Sequence, residues 1–382
     1  MRVLFDSQAF DMQTIGGVSR CFVELYKHLP KEVKATIGVL ESNNIYLRNL
    51  GYPCRGQLYD EFICKKPFRG KGRLFNWYNS IIGRKYWGNQ YNRTFCIKLL
   101  QEKRVDLFHP TYFGDWFLPY LGNTPFVLTI HDMIPERFPQ FFKRDDFQIM
   151  MKRKLVPLAS KIIAVSENTK KDVIQLLGVS EDKVEVIYHG ANSLDMNLSN
   201  ESFYDFPYLL YVGSRYDYKN FIPFLKSCKV IFDKYKDLKL ICTGNAFIPN
   251  ELAQIDNLGL SSRVIHRFVK TDEELMNLYH HAVCFVYPSL YEGFGIPILE
   301  AYQAQCPVML NKRSCFPEIA GDAAIYFDMD NDSSDFAEVF EDFYNSYSCR
   351  KDELIFKQNI RLKKYSWKRS AQQLADVYRS IV

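Results

Sequence analysis

The sequence predicts an α/β protein built on parallel sheets and divided into two domains, on three observations. Short β-rich runs alternate with longer helical stretches over almost the whole chain, the pattern that gives parallel strands covered by helices on both faces. At 382 residues, with 47% hydrophobic and 24% charged residues, the chain is long enough for two cores of ordinary size. A polar stretch without periodicity, Ser193 to Asp205, interrupts the alternation near its middle. The expected division is a first domain over residues 1–192, a linker over 193–206, a second domain over 207–364 and an amphipathic terminal segment over 365–382.

In the first half the predicted strands are Val3 to Asp6, Thr36 to Leu40, Leu107 to His109, Phe126 to Ile130, Ile162 to Val165 and Val184 to Tyr188. Ligands of such sheets sit at the carboxyl ends of the strands, so the residues there are the candidates for chemistry. Gly16-Gly17 links the first strand to a helix predicted over Cys21 to Leu29, and a glycine pair lets backbone amides approach an anion. His109 and His131 each end an apolar strand, with Asp132 directly after the second. A lone strand-end histidine is more often structural than catalytic; two in equivalent places weaken that reading. Ser166 before Glu167 reads as a helix start.

In the second half the predicted strands are Tyr208 to Val212, Leu238 to Thr243, Val264 to His266, Val283 to Tyr287, Val308 to Leu310 and Ala324 to Phe327. Gly213-Ser214-Arg215-Tyr216-Asp217-Tyr218-Lys219-Asn220 places two cations in the loop after the first of these. After Tyr287 comes Glu292-Gly293-Phe294-Gly295-Ile296-Pro297, then a helix predicted over Ile298 to Ala304. Gly293 and Gly295 are free to take positive φ, and Pro297 suits a first helical turn, where its missing N–H costs nothing. Such a turn aims free amides and the positive end of a helix dipole at an anion. Glu300, about one turn into that helix, lies too deep to cap it, and its carboxylate can accept two hydrogen bonds from a vicinal diol. A diphosphate carrying a ribose satisfies both features.

The string Glu-Gly-Phe-Gly-Ile-Pro followed by Glu300 closely resembles the motif of the retaining family 4 glycosyltransferases, which have the GT-B fold of two facing Rossmann-like domains across a cleft. The resemblance implies that Glu300 holds the ribose of a nucleotide sugar, and that Glu292 and the loop Gly293, Phe294, Gly295 and Ile296 contact the donor sugar. It also implies that Gly16 and Gly17 close over the diphosphate, that Arg215 and Lys219 neutralise it, and that His131 lies near the donor sugar. Gly244, Asn245 and Val269 correspond to the base pocket. His109 is a weaker acceptor-side candidate, and a catalytic role for Glu167 is not implied. In many relatives the arginine directly follows the glycine, whereas here Ser214 intervenes, so Lys219 is the firmer of the two assignments. In the same fold the terminal helix crosses back onto the first domain.

Ten cysteines are scattered singly with no Cys-x-x-Cys pair, which argues against a zinc site or disulfide framework and fits a reducing compartment. Met1 to Asp6 reads as a first strand, and no run of 18 apolar residues exists in the sequence, so a cytoplasmic protein is expected. No Asp-x-Asp stands where metal-dependent transferases hold an ion; Asp328-Met329-Asp330 lies in an acidic run after the last strand. No metal and no other cofactor is therefore expected, and the nucleotide sugar is a co-substrate.

Charge is placed unevenly. Between Cys64 and Arg104 stand eleven lysines and arginines against one acid, Glu102, a local +10 in a chain of +5. Phe68, Phe75, Trp77, Tyr78, Ile81, Ile82, Tyr86 and Trp87 interleave with them. This pattern suits an anionic membrane surface or a lipid-linked, phosphate-bearing acceptor. A solvated helical face with its aromatics in the core is the plain alternative, and single-stranded nucleic acid is the least favoured. The combined expectation is a retaining, metal-independent transferase moving a hexose from a nucleoside diphosphate sugar to a glycan or lipid-linked glycan, as in surface polysaccharide assembly. A nucleotide-sugar epimerase and a non-catalytic sugar-nucleotide binder are the rivals.

Overall fold

The computed structural model describes residues 1–81, 90–191, 200–330 and 334–382. Residues 193–199 of the predicted linker, and Ile82, Arg84, Lys85, Tyr86 and Trp87 of the basic segment, lie outside the described residues.

Every strand read from the sequence is present. The first half holds β1 (Arg2–Phe5), β2 (Lys34–Ile37), β3 (Leu107–His109), β4 (Val127–Ile130), β5 (Lys161–Ala164) and β6 (Val184–Val186). They pair in parallel as β2-β1-β3 and β4-β5-β6. A parallel bridge between Phe108 and Phe126 joins the two groups. The chain reverses direction across this sheet between β1 and β3, and the buried Asp6 ties the two loops there together. Its carboxylate accepts from Thr111 N (2.8 Å), Thr111 Oγ1 (2.6 Å) and Gln8 Nε2 (2.6 Å). Burial raises the pKa of Asp6 against the pull of these bonds.

The second half holds β7 (Tyr208–Tyr211), β8 (Lys239–Cys242), β9 (Val264–His266), β10 (Cys284–Tyr287), β11 (Val308–Asn311) and β12 (Ile325–Phe327). All are parallel, in the order β12-β11-β10-β7-β8-β9. β7, β10 and β11 are buried along their whole length because helices cover both faces, which is why they read as unbroken apolar runs. The chain moves outward from β7 through β8 to β9, then crosses over to begin again at β10. The loops leaving β7 and β10 therefore splay apart over a common crevice, the place where open α/β sheets bind ligands. These loops carry Lys219 and the Glu292–Ile296 string.

The terminal helix, Trp367–Arg379, packs on the first half and not on the second-half sheet that precedes it. Trp367, Ala371, Leu374, Ala375 and Tyr378 share one core with Phe5, Phe22 and Val127. Ser370 Oγ donates to Tyr188 O (2.6 Å), and Tyr378 Oη lies 2.6 Å from His109 Nδ1. At Gly190 a Cβ would stand 2.1 Å from Trp367 N, so only glycine lets the two backbones meet. The crossing expected of the terminal segment is thus built by named contacts. The first-half helix begins earlier than predicted, at Gly17 rather than Cys21, and runs Gly17–His28.

Candidate active site

The two halves meet along their loops. Gly295 takes φ +87° and caps the helix Ile296–Gln303, which has Pro297 in its first turn. Gly293 needs its glycine for another reason than the predicted positive φ: a Cβ there would stand 1.7 Å from the carbonyl oxygen of His131. The second-half loop thus rests directly on the backbone of the first-half strand end. Its carbonyl oxygen accepts from Ser166 Oγ (2.6 Å) and Thr169 Oγ1 (3.2 Å). Ser166 also accepts from Thr169 N (3.0 Å), capping the helix Glu167–Leu177 as predicted. The free amides of that helix end receive Glu318 of the second half, from Glu167 N (2.7 Å) and Asn168 N (3.0 Å). A carboxylate at a helix N-terminus is the favourable placement.

Opposite charges meet at two points. Lys219 Nζ lies 2.5 Å from Glu292 Oε1, both side chains at most 14% exposed. Arg20 NH1 lies 2.7 Å from Glu300 Oε1, across the halves. Tyr279 Oη donates to the other oxygen of Glu300 (3.4 Å). Gly17 faces the same loop, since a Cβ on it would lie 3.6 Å from Ile296 Cδ1. Gly16 precedes the Gly17–His28 helix with an extended backbone. The structure therefore brings together Gly17, His131, Lys219, Glu292, Gly293, Ile296 and Glu300, and adds Arg20, to which sequence reasoning gave no role. Its position three residues after the Gly16-Gly17 pair was the available signal.

Arg215 is held within the second half. Its side chain is 3% exposed and pairs with Glu251 (2.9 Å). It donates further to the carbonyls of Thr243 (3.3 Å), Asn245 (2.5 Å) and Ala246 (3.1 Å). Four of the five guanidinium donors are engaged, so in this structure Arg215 braces the Gly244-Asn245 loop. Gly244, at φ +96°, lies so close to Gly213 that a Cβ would be 2.6 Å from Gly213 O. Val269 is half-buried at the margin of the second-half core. The Phe294 ring is buried against His189 (4.8 Å between centroids) and Tyr365 (5.8 Å), which leaves only its backbone for a ligand.

Three histidines line the first-half side, His109 and His189 buried and His131 half-buried. His131 Nε2 has no hydrogen-bond partner among the described residues. Burial pushes its pKa down to about 4, with Lys152 adding to the effect and Asp132 opposing it. Burial likewise pushes His109 and His189 down to about 3. His109 is bonded by Tyr378 and by Thr129 Oγ1 (2.8 Å), so it belongs to the core. Asp132 accepts from Ile134 N (3.1 Å) and orders the loop after β4. All three rings are neutral when folded at pH 7, whereas in the unfolded chain they take up protons near pH 6.5. Below pH 6.5 the unfolded state binds more protons, so stability is expected to fall from there down toward pH 4. Urea midpoints at pH 7, 6 and 5 check this; a flat series would contradict it.

Among the described residues no helix is long and apolar enough to cross a membrane, and no cysteine is in a disulfide. Of the basic segment, Lys65, Lys66, Arg69 and Arg73 are exposed, whereas Lys71 is buried and donates to Asp60 O (2.8 Å) and Cys64 O (2.7 Å). Phe75 is in the core, but Trp77 and Ile81 are 61% and 64% exposed. The reading that puts the aromatics of this segment in the core holds for Phe75 alone among the described ones, since Phe68 and Tyr78 are exposed as well.

Residues 15–193 match the model of Glycosyltransferase Family 4, and residues 192–363 match that of Glycosyl transferases group 1. The chain belongs to this glycosyltransferase family. It is 30% identical over 239 residues to the O-antigen chain mannosyltransferase RfbU of Salmonella typhimurium, covering 62% of this chain and 64% of that one. It is 26% identical over 268 residues to O-antigen chain mannosyltransferase B of Escherichia coli, covering 66% and 70%. The chain thus spans less than two thirds of the Salmonella relative. Its fold is that of Anabaena HepE, solved with UDP and glucose, at TM-score 0.70 and 18% identity over the full length of both. The fold is GT-B.

Proposed function

We propose that the chain is a retaining, metal-independent transferase that moves a hexose from a nucleoside diphosphate sugar to a hydroxyl of a lipid-linked glycan. The observation that carries this reading is the meeting of the glycine loop and its Glu300 helix with Gly17, Arg20 and His131 of the other half. Glu300 holds the ribose, and the amides at the start of the Ile296–Gln303 helix face the diphosphate. Lys219 neutralises the charge that grows on the leaving diphosphate, which is where most of the catalytic work lies. The bond from C1 to the diphosphate oxygen breaks with its electron pair staying on that oxygen. The acceptor oxygen bonds to C1 on the same face, and its proton passes to the departing phosphate. Arg20 and Lys219 supply the cations in place of a metal, so full activity in chelator is expected. Because two relatives are O-antigen mannosyltransferases, mannose donors are the first to test. Incubation with labelled nucleotide sugars separates the possibilities: a transferase gives glycoside or slow hydrolysis, an epimerase an isomerised donor, and a binder neither.

We further propose that residues 63–81 dock on an anionic membrane surface, which supplies the lipid-linked acceptor. Support comes from Lys65, Lys66, Arg69 and Arg73 standing exposed beside Ile63, Phe68, Trp77 and Ile81. Lys71 is excluded from the test because it holds the loop. Each cation near anionic lipid contributes about fivefold in binding, so replacing these four by glutamine is expected to weaken vesicle binding about 10²- to 10³-fold. High salt is expected to do the same. Equal sedimentation of variant and parent with phosphatidylglycerol vesicles would count against it.

A further inference from the structure

At the loop that leads into Lys219 a cavity of about 600 Å³ opens between the halves. Asp132, Phe142 and Gln148 line it from the first half; Tyr216, Asp217 and Tyr218 line it from the second. The volume falls within the range of about 300–1,000 Å³ common for small-molecule sites. Its rings are ordered. Tyr216 and Tyr218 stack with centroids 6.2 Å apart and planes 28° from parallel. Tyr218 in turn lies 6.3 Å from Phe142 and 6.5 Å from Phe138, each at 30°. The outermost ring, Tyr216, is 63% exposed.

The chemistry of the lining narrows the occupant. Arg215 also borders the cavity, but its donors are engaged elsewhere, so no free cation among the lining residues awaits an anion. Two carboxylates and a primary amide stand beside the aromatic faces, and these disfavour phosphate and acidic lipid. They match a neutral pyranose, whose C–H face packs on an aromatic ring while its hydroxyls donate to carboxylate oxygens at the ring edge. The location narrows it again. Tyr218 is followed by Lys219, whose Nζ lies 5.3 Å over the Tyr218 ring, and Asp132 follows His131. The cavity therefore borders the place where the donor sugar is to be released.

We propose that this cavity is the subsite for the terminal sugar of the acceptor glycan, a neutral hexopyranose that packs on Tyr216 and hydrogen-bonds Asp132 and Asp217. The assignment of the occupant as an acceptor rests on the transferase reading above. The test uses the full chain and saturation-transfer NMR with methyl α-mannoside, methyl α-glucoside and methyl α-galactoside. Tyr216→Ala and Asp217→Asn alter exposed side chains and are expected to leave the fold intact. At least one hexoside is expected to bind the parent, and Tyr216→Ala to weaken it about five- to tenfold. Thermal stabilisation by the nucleotide sugar is read in the same samples and is expected to persist in both variants. No hexoside binding to a parent that nucleotide sugar does stabilise would overturn the subsite and leave the transferase reading standing. Equal hexoside binding by parent and both variants would overturn it also. Hexoside binding that depends on Tyr216, without any nucleotide stabilisation, would uphold a sugar subsite and sink the transferase reading instead.

Discussion

Lys219→Ala is expected to lower turnover by about two to three orders of magnitude. In the free cleft the lysine is held by Glu292 at 2.5 Å, so its charge is already in position and partly withdrawn from water. On the proposed function, a diphosphate entering there would replace Glu292 as the partner, and the pairing would strengthen as the glycosidic bond breaks. The loss should therefore appear in kcat more than in the affinity for a nucleoside monophosphate, which lacks the leaving group. Lys219→Arg keeps the charge and should recover part of the rate. Near-normal turnover in a folded Lys219→Ala protein would remove the lysine from the mechanism.

Gly293→Ala is expected to abolish transfer through geometry alone. The added methyl would collide with the His131 carbonyl oxygen, a backbone atom that cannot swing aside. Either the loop lifts off the first half, breaking the bonds from Ser166 and Thr169, or the β4 end is displaced. Misplacing reacting groups by about 1 Å costs on the order of 10²-fold in rate, and the shift required here is larger. Each half keeps its own core, so far-UV circular dichroism should match the parent. Wild-type activity in the variant would show that the halves do not close as described.

How much was legible in the sequence follows from what each feature depends on. The strands are local: Tyr208 to Val212 and Val283 to Tyr287 are apolar over their whole length because each is covered on both faces, and both were read correctly to within one residue. The Ser166 cap and the Gly295-Pro297 helix start are equally local. The partners of Arg20 and Arg215 were not legible. Arg20 and Glu300 are 280 residues apart, and their meeting depends on how two sheets face each other. Arg215 stands in a loop whose residue types suit a diphosphate site, but Glu251 and the carbonyls of the next βα loop reach it first. Gly293 was read as a glycine of conformation when it is a glycine of space, a distinction that only the neighbouring backbone defines. Lys219 and Glu292 could be paired only through the strand order, which sets β10 beside β7.

The central claim is that Glu300 and the glycine loop form a nucleotide site that needs no metal. Thermal unfolding of the full chain with UDP, GDP, ADP and dTDP and their hexose conjugates, in chelator, tests it most directly when repeated with Glu300→Ala. At 100 times its Kd a ligand stabilises by about 2.7 kcal/mol, enough for a clear rise in Tm. One base is expected to raise the Tm of the parent, and Glu300→Ala to weaken that nucleotide by about 2–4 kcal/mol through two lost charge-assisted bonds. A parent that no nucleotide stabilises, or a Glu300→Ala protein stabilised as strongly as the parent, would contradict the account.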